Sequence, residues 1–184
     1  MTADWSPLWL SLRVALVVSA TALVVAPWPA WRLARRNWPV VTLVAGFLSM
    51  VPAVIIASLA LPEFTWPVAA AAGSLRAVPQ TLAACRRAFQ LLNPAYRKAA
   101  RMARASDWRI FWTLALPLRG RAVLAAAADV FPETMLETAM ALWIVGRLSV
   151  PPAGAILLTA LAGGAIAMWL RREIGALPER QAGP

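Results

Sequence analysis

Three carboxylates recur at helical spacing within a mostly apolar segment of the sequence. Asp129, Glu133 and Glu137 follow one another at intervals of four residues, so a helix places them on one face. Arg76 lies in another apolar segment and is the natural partner for one of these acids. Because a charge in the middle of a bilayer costs at least about 2.5–3.5 kcal/mol, the acidic face should contact protein or water. A structural ion pair and a functional, water-lined site both remain open at this point.

The rest of the chain offers little other chemistry. There is no histidine, and Cys85 is the single cysteine. This excludes histidine-based catalysis, most zinc sites and an intrachain disulfide. We therefore predict no catalytic residue and no metal ligand. A membrane enzyme would have to use the three acids with a metal, which makes it the weaker alternative.

The composition is that of a membrane protein. Hydrophobic residues make up 61% and charged residues 14% of the 184, and the mean hydropathy is +0.66. A soluble domain averages about 45–50% apolar and about 25% charged residues. The formal net charge of +10 would suggest nucleic acid in a soluble protein. Here we attribute it to cytoplasmic loops rich in Lys and Arg, and predict an all-α polytopic membrane protein that binds no nucleic acid.

Hydropathy identifies three certain crossings and two doubtful ones. The uncharged stretches 14–31, 37–62 and 148–170 approach or exceed the length of about 20 residues that spans a bilayer. The stretches 64–91 and 118–145 are apolar but carry several charges. Hydropathy alone therefore leaves these two undecided.

The positions of the basic residues decide the number of crossings. Basic clusters lie at 32–36, 97–121 and 171–180. If all three are cytoplasmic, an even number of crossings separates each from the next, so both doubtful stretches must cross. We predict one domain over 1–184, with the N-terminus outside, the C-terminus inside and no cleavable leader. The predicted spans are 8–31, 39–61, 67–91, 118–145 and 149–170, with a cytoplasmic coupling loop at 93–117.

The tryptophans fit this topology, because Trp favours the headgroup level of a bilayer. All ten lie near predicted span ends. Those expected outside are Trp5, Trp9, Trp66 and Trp143. Those expected at the cytoplasmic side are Trp28, Trp31, Trp38, Trp108, Trp112 and Trp169.

The long cytoplasmic loop predicts a short amphipathic helix. Asn93 is a good N-cap and Pro94 suits a first helical turn. Ser106 can cap a second short helix. The first of these helices has an apolar stripe at i, i+3, i+4 and i+7, which consists of Tyr96, Ala99, Ala100 and Ala103. Basic residues occupy its remaining surface. A helix lying on anionic lipid and a docking helix for a cytoplasmic partner are both open interpretations.

The segment 98–109, followed by 114–118, resembles the EAA loop of ABC-importer permeases. That motif reads Glu-Ala-Ala, then Gly a few residues on, then an apolar stretch ending in Leu-Pro. In the family it forms the coupling helix, which sits in a cleft of the ATP-hydrolysing subunit. The resemblance implies a set of residues that couple to the ATPase: Tyr96, Lys98, Ala99, Ala100, Ala103, Arg104, Ala105 and Pro117.

The resemblance covers nearly the whole chain and is strongest to the permease subunit of molybdate importers. The stretches 10–16, 33–36 and 136–139, together with Pro52 and Pro79, match that family in order and spacing. A translocation path or gate is the functional alternative for the intramembrane charges, and Pro132 should bend its helix by removing a hydrogen bond. The predicted path or gate comprises Arg76, Pro79, Asp129, Pro132, Glu133 and Glu137.

Three positions depart from the family pattern. Lys98 stands where the family has Glu, Arg104 where it has Gly, and Glu133 where it has Arg. Because Gly permits a close backbone approach, Arg104 should alter the fit to a standard ATPase. A divergent member with a matched partner, one half of a heterodimeric pore and a copy with reduced activity all remain open.

The resemblance implies the membrane subunit of an inner-membrane importer, with molybdate or a related oxyanion as the solute. The chain would bind no cofactor of its own, and ATP would bind the partner subunit. Implied partners are ABC ATPase subunits, a second permease subunit in a homo- or heterodimer, an extracytoplasmic substrate-binding protein and membrane lipid. An acidic face suits an anion poorly, unless Arg76 neutralises it, carboxyls stay protonated or the cargo is not an anion. A non-transporting membrane scaffold is the remaining rival.

Overall fold

A computed structural model describes residues 5–34, 66–144 and 150–175, and these residues contain helices and no strand. Seven α-helices and one π-helical turn follow one another in these ranges. Their bounds are α1 Ser6–Val25, α2 Pro27–Leu33, α3 Trp66–Gln90, α4 Pro94–Met102, α5 Asp107–Ile110, the π turn Phe111–Ala115, α6 Leu116–Ile144 and α7 Val150–Gly175. The predicted second span, 39–61, lies outside the described residues.

Helices α1 and α2 form one long element despite a proline. Ala26 keeps a right-handed helical backbone, and its N–H donates to the Ala22 carbonyl at 3.0 Å. Pro27 then opens α2 in a first turn, where its missing N–H removes little. The combined helix Ser6–Leu33 is long and apolar enough to cross a membrane.

A second element of this kind runs over Asp107–Ile144 and combines α5, the π turn and α6. The predicted loop 93–117 thus contains α4, the short helix that Ser106 was expected to cap, and the start of α6. The wider π turn ends at Ala115, two residues before Pro117, which has no N–H for the helical ladder. Among the described residues, these two elements are the ones long and apolar enough to cross a membrane. The apolar helix Ala153–Trp169 is shorter.

Helix α6 lies at the centre of the described bundle, in contact with α1, α3 and α7, and α1 also contacts α3. Small residues allow some of these approaches. A side chain at Gly163 of α7 would place its Cβ 2.9 Å from Cδ1 of Phe131 on α6, whereas Gly164 faces open space. Buried valines and alanines of α1, α3 and α6 form the first core cluster, which includes Val14, Ala70 and Val130.

Candidate functional site

Arg76 joins the two bundle helices that carry charge. Its Nη1 donates to Oε2 of Glu137 at 2.7 Å, and its Nη2 donates to Oε2 of Glu133 at 2.9 Å. The expected pairing of Arg76 with an acid of α6 is confirmed, and it involves two acids instead of one. Gln80, which sequence reasoning missed, donates from Nε2 to the same Glu133 oxygen at 2.9 Å. Its position four residues after Arg76, on the same face of α3, could have indicated this contact.

The side chains of the ion network become more exposed from Glu137 through Arg76 to Glu133. The side chain of Glu137 is 7% exposed, that of Arg76 is 21% exposed and that of Glu133 is 41% exposed. Two carboxylates share one guanidinium, so these three groups carry an excess negative charge when all are ionised. Asp129 lies half-buried one turn before Glu133 on α6. The arrangement can lock α3 against α6, and the lock is most accessible at Glu133.

Both predicted prolines lie inside the helices that carry the network. Pro79 is within α3, between Arg76 and Gln80, and Pro132 is within α6, directly before Glu133. Each proline lacks the N–H that would bond to the carbonyl four residues earlier, so both helices miss one hydrogen bond beside the ion pairs. The structure therefore combines ionic contacts and weakened helical ladders in one region.

The loop after α3 forms the helix that its caps predict. Asn93 Oδ1 accepts a hydrogen bond from Ala95 N at 2.9 Å, and Pro94 occupies the first turn of α4. Ser106 Oγ accepts from Arg109 N at 3.3 Å and caps α5. Helix α4 contains no buried residue: Tyr96 is 54% exposed and Met102 is 76% exposed. Its outer surface is therefore available to a partner.

Arg104 ends this helix with a left-handed backbone, at φ 55°. Its N–H donates to the Arg101 carbonyl at 2.9 Å, and the Ala105 N–H donates to the Ala100 carbonyl at 3.1 Å. This pair of bonds defines a Schellman C-cap, whose left-handed position usually carries Gly. Arg104 adopts this turn at a cost of roughly 1 kcal/mol, because it carries a side chain.

The remaining predicted coupling residues surround α4. Lys98, Ala99 and Ala103 are exposed on α4 or its cap. Ala100 and Ala105 are half-buried against the second core cluster. Pro117, exposed in the first turn of α6, lies on the next long helix. The coupling role of these residues stays a prediction.

An aromatic cluster joins α2, α3 and the start of the α5–α6 helix. Trp28 and Trp31 of α2, Phe89 of α3, and Trp108 and Phe111 at the start of the α5–α6 helix pack with centroid distances of 4.6–6.5 Å. Trp31 is fully buried, so its ring packs inside the protein and does not face the lipid headgroups. The end of α2, the end of α3 and the start of α5 therefore meet at one end of the bundle.

The opposite end is marked by two other tryptophans. Trp9 of α1 and Trp66 of α3 line one cavity of about 520 Å³ together with Arg13. Helices α1 and α3 therefore start at the same end and run parallel, and the α5–α6 helix starts at the other end and runs back.

The described residues thus form a helical bundle with an exposed, capped helix at one end and an ion network between α3 and α6. The sequence matches the family of the binding-protein-dependent transport system inner membrane component over residues 22–170. This protein belongs to that family. It is thus a transporter permease subunit of the inner membrane, in a family whose members work with an ATPase and a substrate-binding protein.

Two relatives carry more specific names. The chain is 27% identical to the molybdenum transport system permease protein ModB of Haemophilus influenzae over 163 residues, which cover 76% of this chain and 71% of that protein. It is 24% identical to ModB of Escherichia coli K12 over 157 residues, covering 73% and 69% of the two chains.

Proposed function

We propose that this chain is the membrane-spanning subunit of an importer for molybdate or a related oxyanion, crossing the inner membrane five times. The family match and the names of the two relatives support the class of transporter and its solute. The observation that carries the proposal is α4, an exposed nine-residue helix with an Asn93 cap and a Schellman end. A docked ATPase needs such a helix on the cytoplasmic surface.

The helix directions support the proposed topology. Arg32 follows the aromatic contacts of α2, and the basic residues of α4 and α5 lie at that same end of the bundle. The first two basic clusters then share one compartment, which the positive-inside rule makes the cytoplasm. In this proposal Trp9 and Trp66 lie at the outer end, with the N-terminus outside and the C-terminus inside.

In this proposal, the subunits that hydrolyse ATP are separate from this chain. ATP binds separate ATPase subunits, and this chain holds no cofactor and performs no catalysis. A second permease subunit, identical or different, completes the pore, and an external binding protein delivers the solute. Closure of the ATPases displaces α4, and the continuous helical element Asp107–Ile144, which includes the π turn, carries that displacement towards Glu133 and Glu137.

The acidic excess of the network favours a gate over an anion-binding site. Arg76 is held by two carboxylates, so its charge is already compensated when the lock is closed. Rocking of α3 against α6 would separate these groups and uncover Arg76 towards the path. An oxyanion then meets a free guanidinium only in the open state.

Reconstitution tests the proposal. In proteoliposomes with its co-expressed ATPase and binding protein, the chain should support ATP-dependent molybdate uptake. Ala99→Trp should reduce retention of the ATPase at least about tenfold, because a bulky side chain on the exposed face of α4 obstructs docking. Leu124→Trp, on an exposed apolar face of α6, is the matched control and should retain the ATPase.

The scaffold alternative is favoured by Lys98 and Arg104, the two exposed departures on the coupling loop. A purified complex that contains no nucleotide-binding subunit would support the scaffold and contradict the importer. ATP-dependent uptake of a cation with no response to molybdate or tungstate would retain the importer and overturn its proposed solute.

A further inference from the structure

Within the part of the chain that the structure describes, few side chains attach helix α4 to the bundle. It contains no buried residue, and Ala100 is its partly buried contact with the second core cluster. The guanidinium carbon of Arg97 lies 4.3 Å from the centroid of the Trp31 ring. A cation within about 6 Å of an aromatic face is attracted to it, and more strongly where water is excluded. Arg97 is therefore a principal side-chain attachment of α4.

Trp31 is a firm anchor for this contact. It is fully buried, and its ring lies 5.7 Å from that of Phe89 in a T-shaped arrangement and 6.5 Å from that of Phe111. These rings belong to α3 and to the π turn before α6. The residue that Arg97 covers is thus fixed by three different elements.

Trp31 also belongs to the element that runs the full length of the bundle. Helix α2 continues α1 through the hydrogen bonds of Ala26 and Ala30, which join the two helices into one element. Helix α1 contacts α3 and α6, the two helices that carry the ion network. A displacement of α4 that reaches Trp31 therefore reaches both sides of that network.

We propose that the contact between Arg97 and Trp31 is the joint that orients α4 on the membrane domain and passes its displacement to α1 and α2. It acts beside the covalent connection from α4 to α5 as a second route. The transmission part rests on the proposed function, since it takes α4 as the coupling helix. Arg97 is a positioning residue in this scheme, and the ATPase needs no direct contact with it.

Hydrogen exchange tests the orienting part in the chain alone, in lipid nanodiscs. Arg97→Gln should speed exchange of the amides of residues 98–105 by roughly fivefold to tenfold, because the cation is lost. Arg97→Lys keeps a cation and should remain close to wild type. Arg101→Gln, exposed one turn further along the same helix, is the matched control and should change exchange less than twofold. Equal exchange in Arg97→Gln and Arg101→Gln would overturn the proposal, as would Arg97→Lys behaving like Arg97→Gln.

Coupling is tested in the assembled transporter. Arg97→Gln should hydrolyse ATP at a rate near wild type and transport less solute per ATP, and Arg97→Lys should restore the ratio. An unchanged ratio alongside faster exchange would overturn the transmission part. Failure of the wild-type chain to assemble with any ATPase would contradict the proposed function, while the exchange results would still decide whether Arg97 orients α4.

Discussion

Arg76 is the residue on which the ion network depends, because its guanidinium donates to both Glu133 and Glu137. Arg76→Gln leaves two carboxylates close together without their cation, and should lower the free energy of unfolding by about 3–5 kcal/mol. The double variant Arg76→Gln/Glu137→Gln should lose less, since it removes the buried acid as well. Thermal unfolding in nanodiscs measures both. A double variant less stable than Arg76→Gln would contradict this account of the network.

Arg104 offers a second test at residue scale. Arg104→Gly should stabilise the chain by about 0.5–1 kcal/mol, because glycine adopts the left-handed backbone without a Cβ penalty. Arg101→Gly, within α4, should instead destabilise it by about 1 kcal/mol through lost helix propensity. Amide exchange across residues 94–105 measures both signs. Equal signs for the two variants would contradict the Schellman assignment.

Single residues also show how far the sequence could be interpreted. The pairing of Arg76 was predictable because it is an isolated cation within an apolar segment facing an acidic stripe. Gln80 was missed because the prediction considered charged side chains, and an amide carries no charge. The burial of Trp31 escaped because interfacial preference is a statistical property, whereas its environment depends on Phe89 and Phe111 from other elements.

At the scale of elements, Gly163 allows a close local approach of α7 to α6. Gly163→Ala should destabilise the bundle by about 1–2 kcal/mol, because the new Cβ would lie 2.9 Å from the Phe131 ring. Gly164→Ala, with open space around it, should be neutral or slightly stabilising through helix propensity. Unfolding midpoints of the two variants in the same detergent provide the comparison. Equal losses would contradict the close approach of the two helices at Gly163.

Elements defined by local chemistry were predictable from the sequence. Helix α4 follows from Asn93, Pro94 and the spacing of its alanines, all within one short segment. The continuity of α5 with α6 was not predicted, because the sequence indicated a short helix after Ser106 and a separate span from residue 118. The π turn before α6 changes the hydrogen-bond register, and its first residue, Phe111, packs in the aromatic cluster with residues distant in sequence.

At the scale of the whole molecule, helix direction connects the sequence argument to the proposed function. The basic clusters predicted a shared compartment, and the aromatic contacts bring α2 and α5 to one end of the bundle. Which end faces the cytoplasm depends on the bilayer and the positive-inside rule, and the fold of an isolated chain does not contain that information.

Cysteine labelling in vesicles tests the topology most directly. In a Cys85→Ser background, Ser6→Cys, Arg32→Cys and Met102→Cys each place one thiol at an exposed position. A membrane-impermeant maleimide should label Arg32→Cys and Met102→Cys only in inverted vesicles, and Ser6→Cys only in right-side-out vesicles. Labelling of Arg32→Cys and Met102→Cys from opposite sides would contradict the account, because α4 could not then meet an ATPase at the end where α2 terminates.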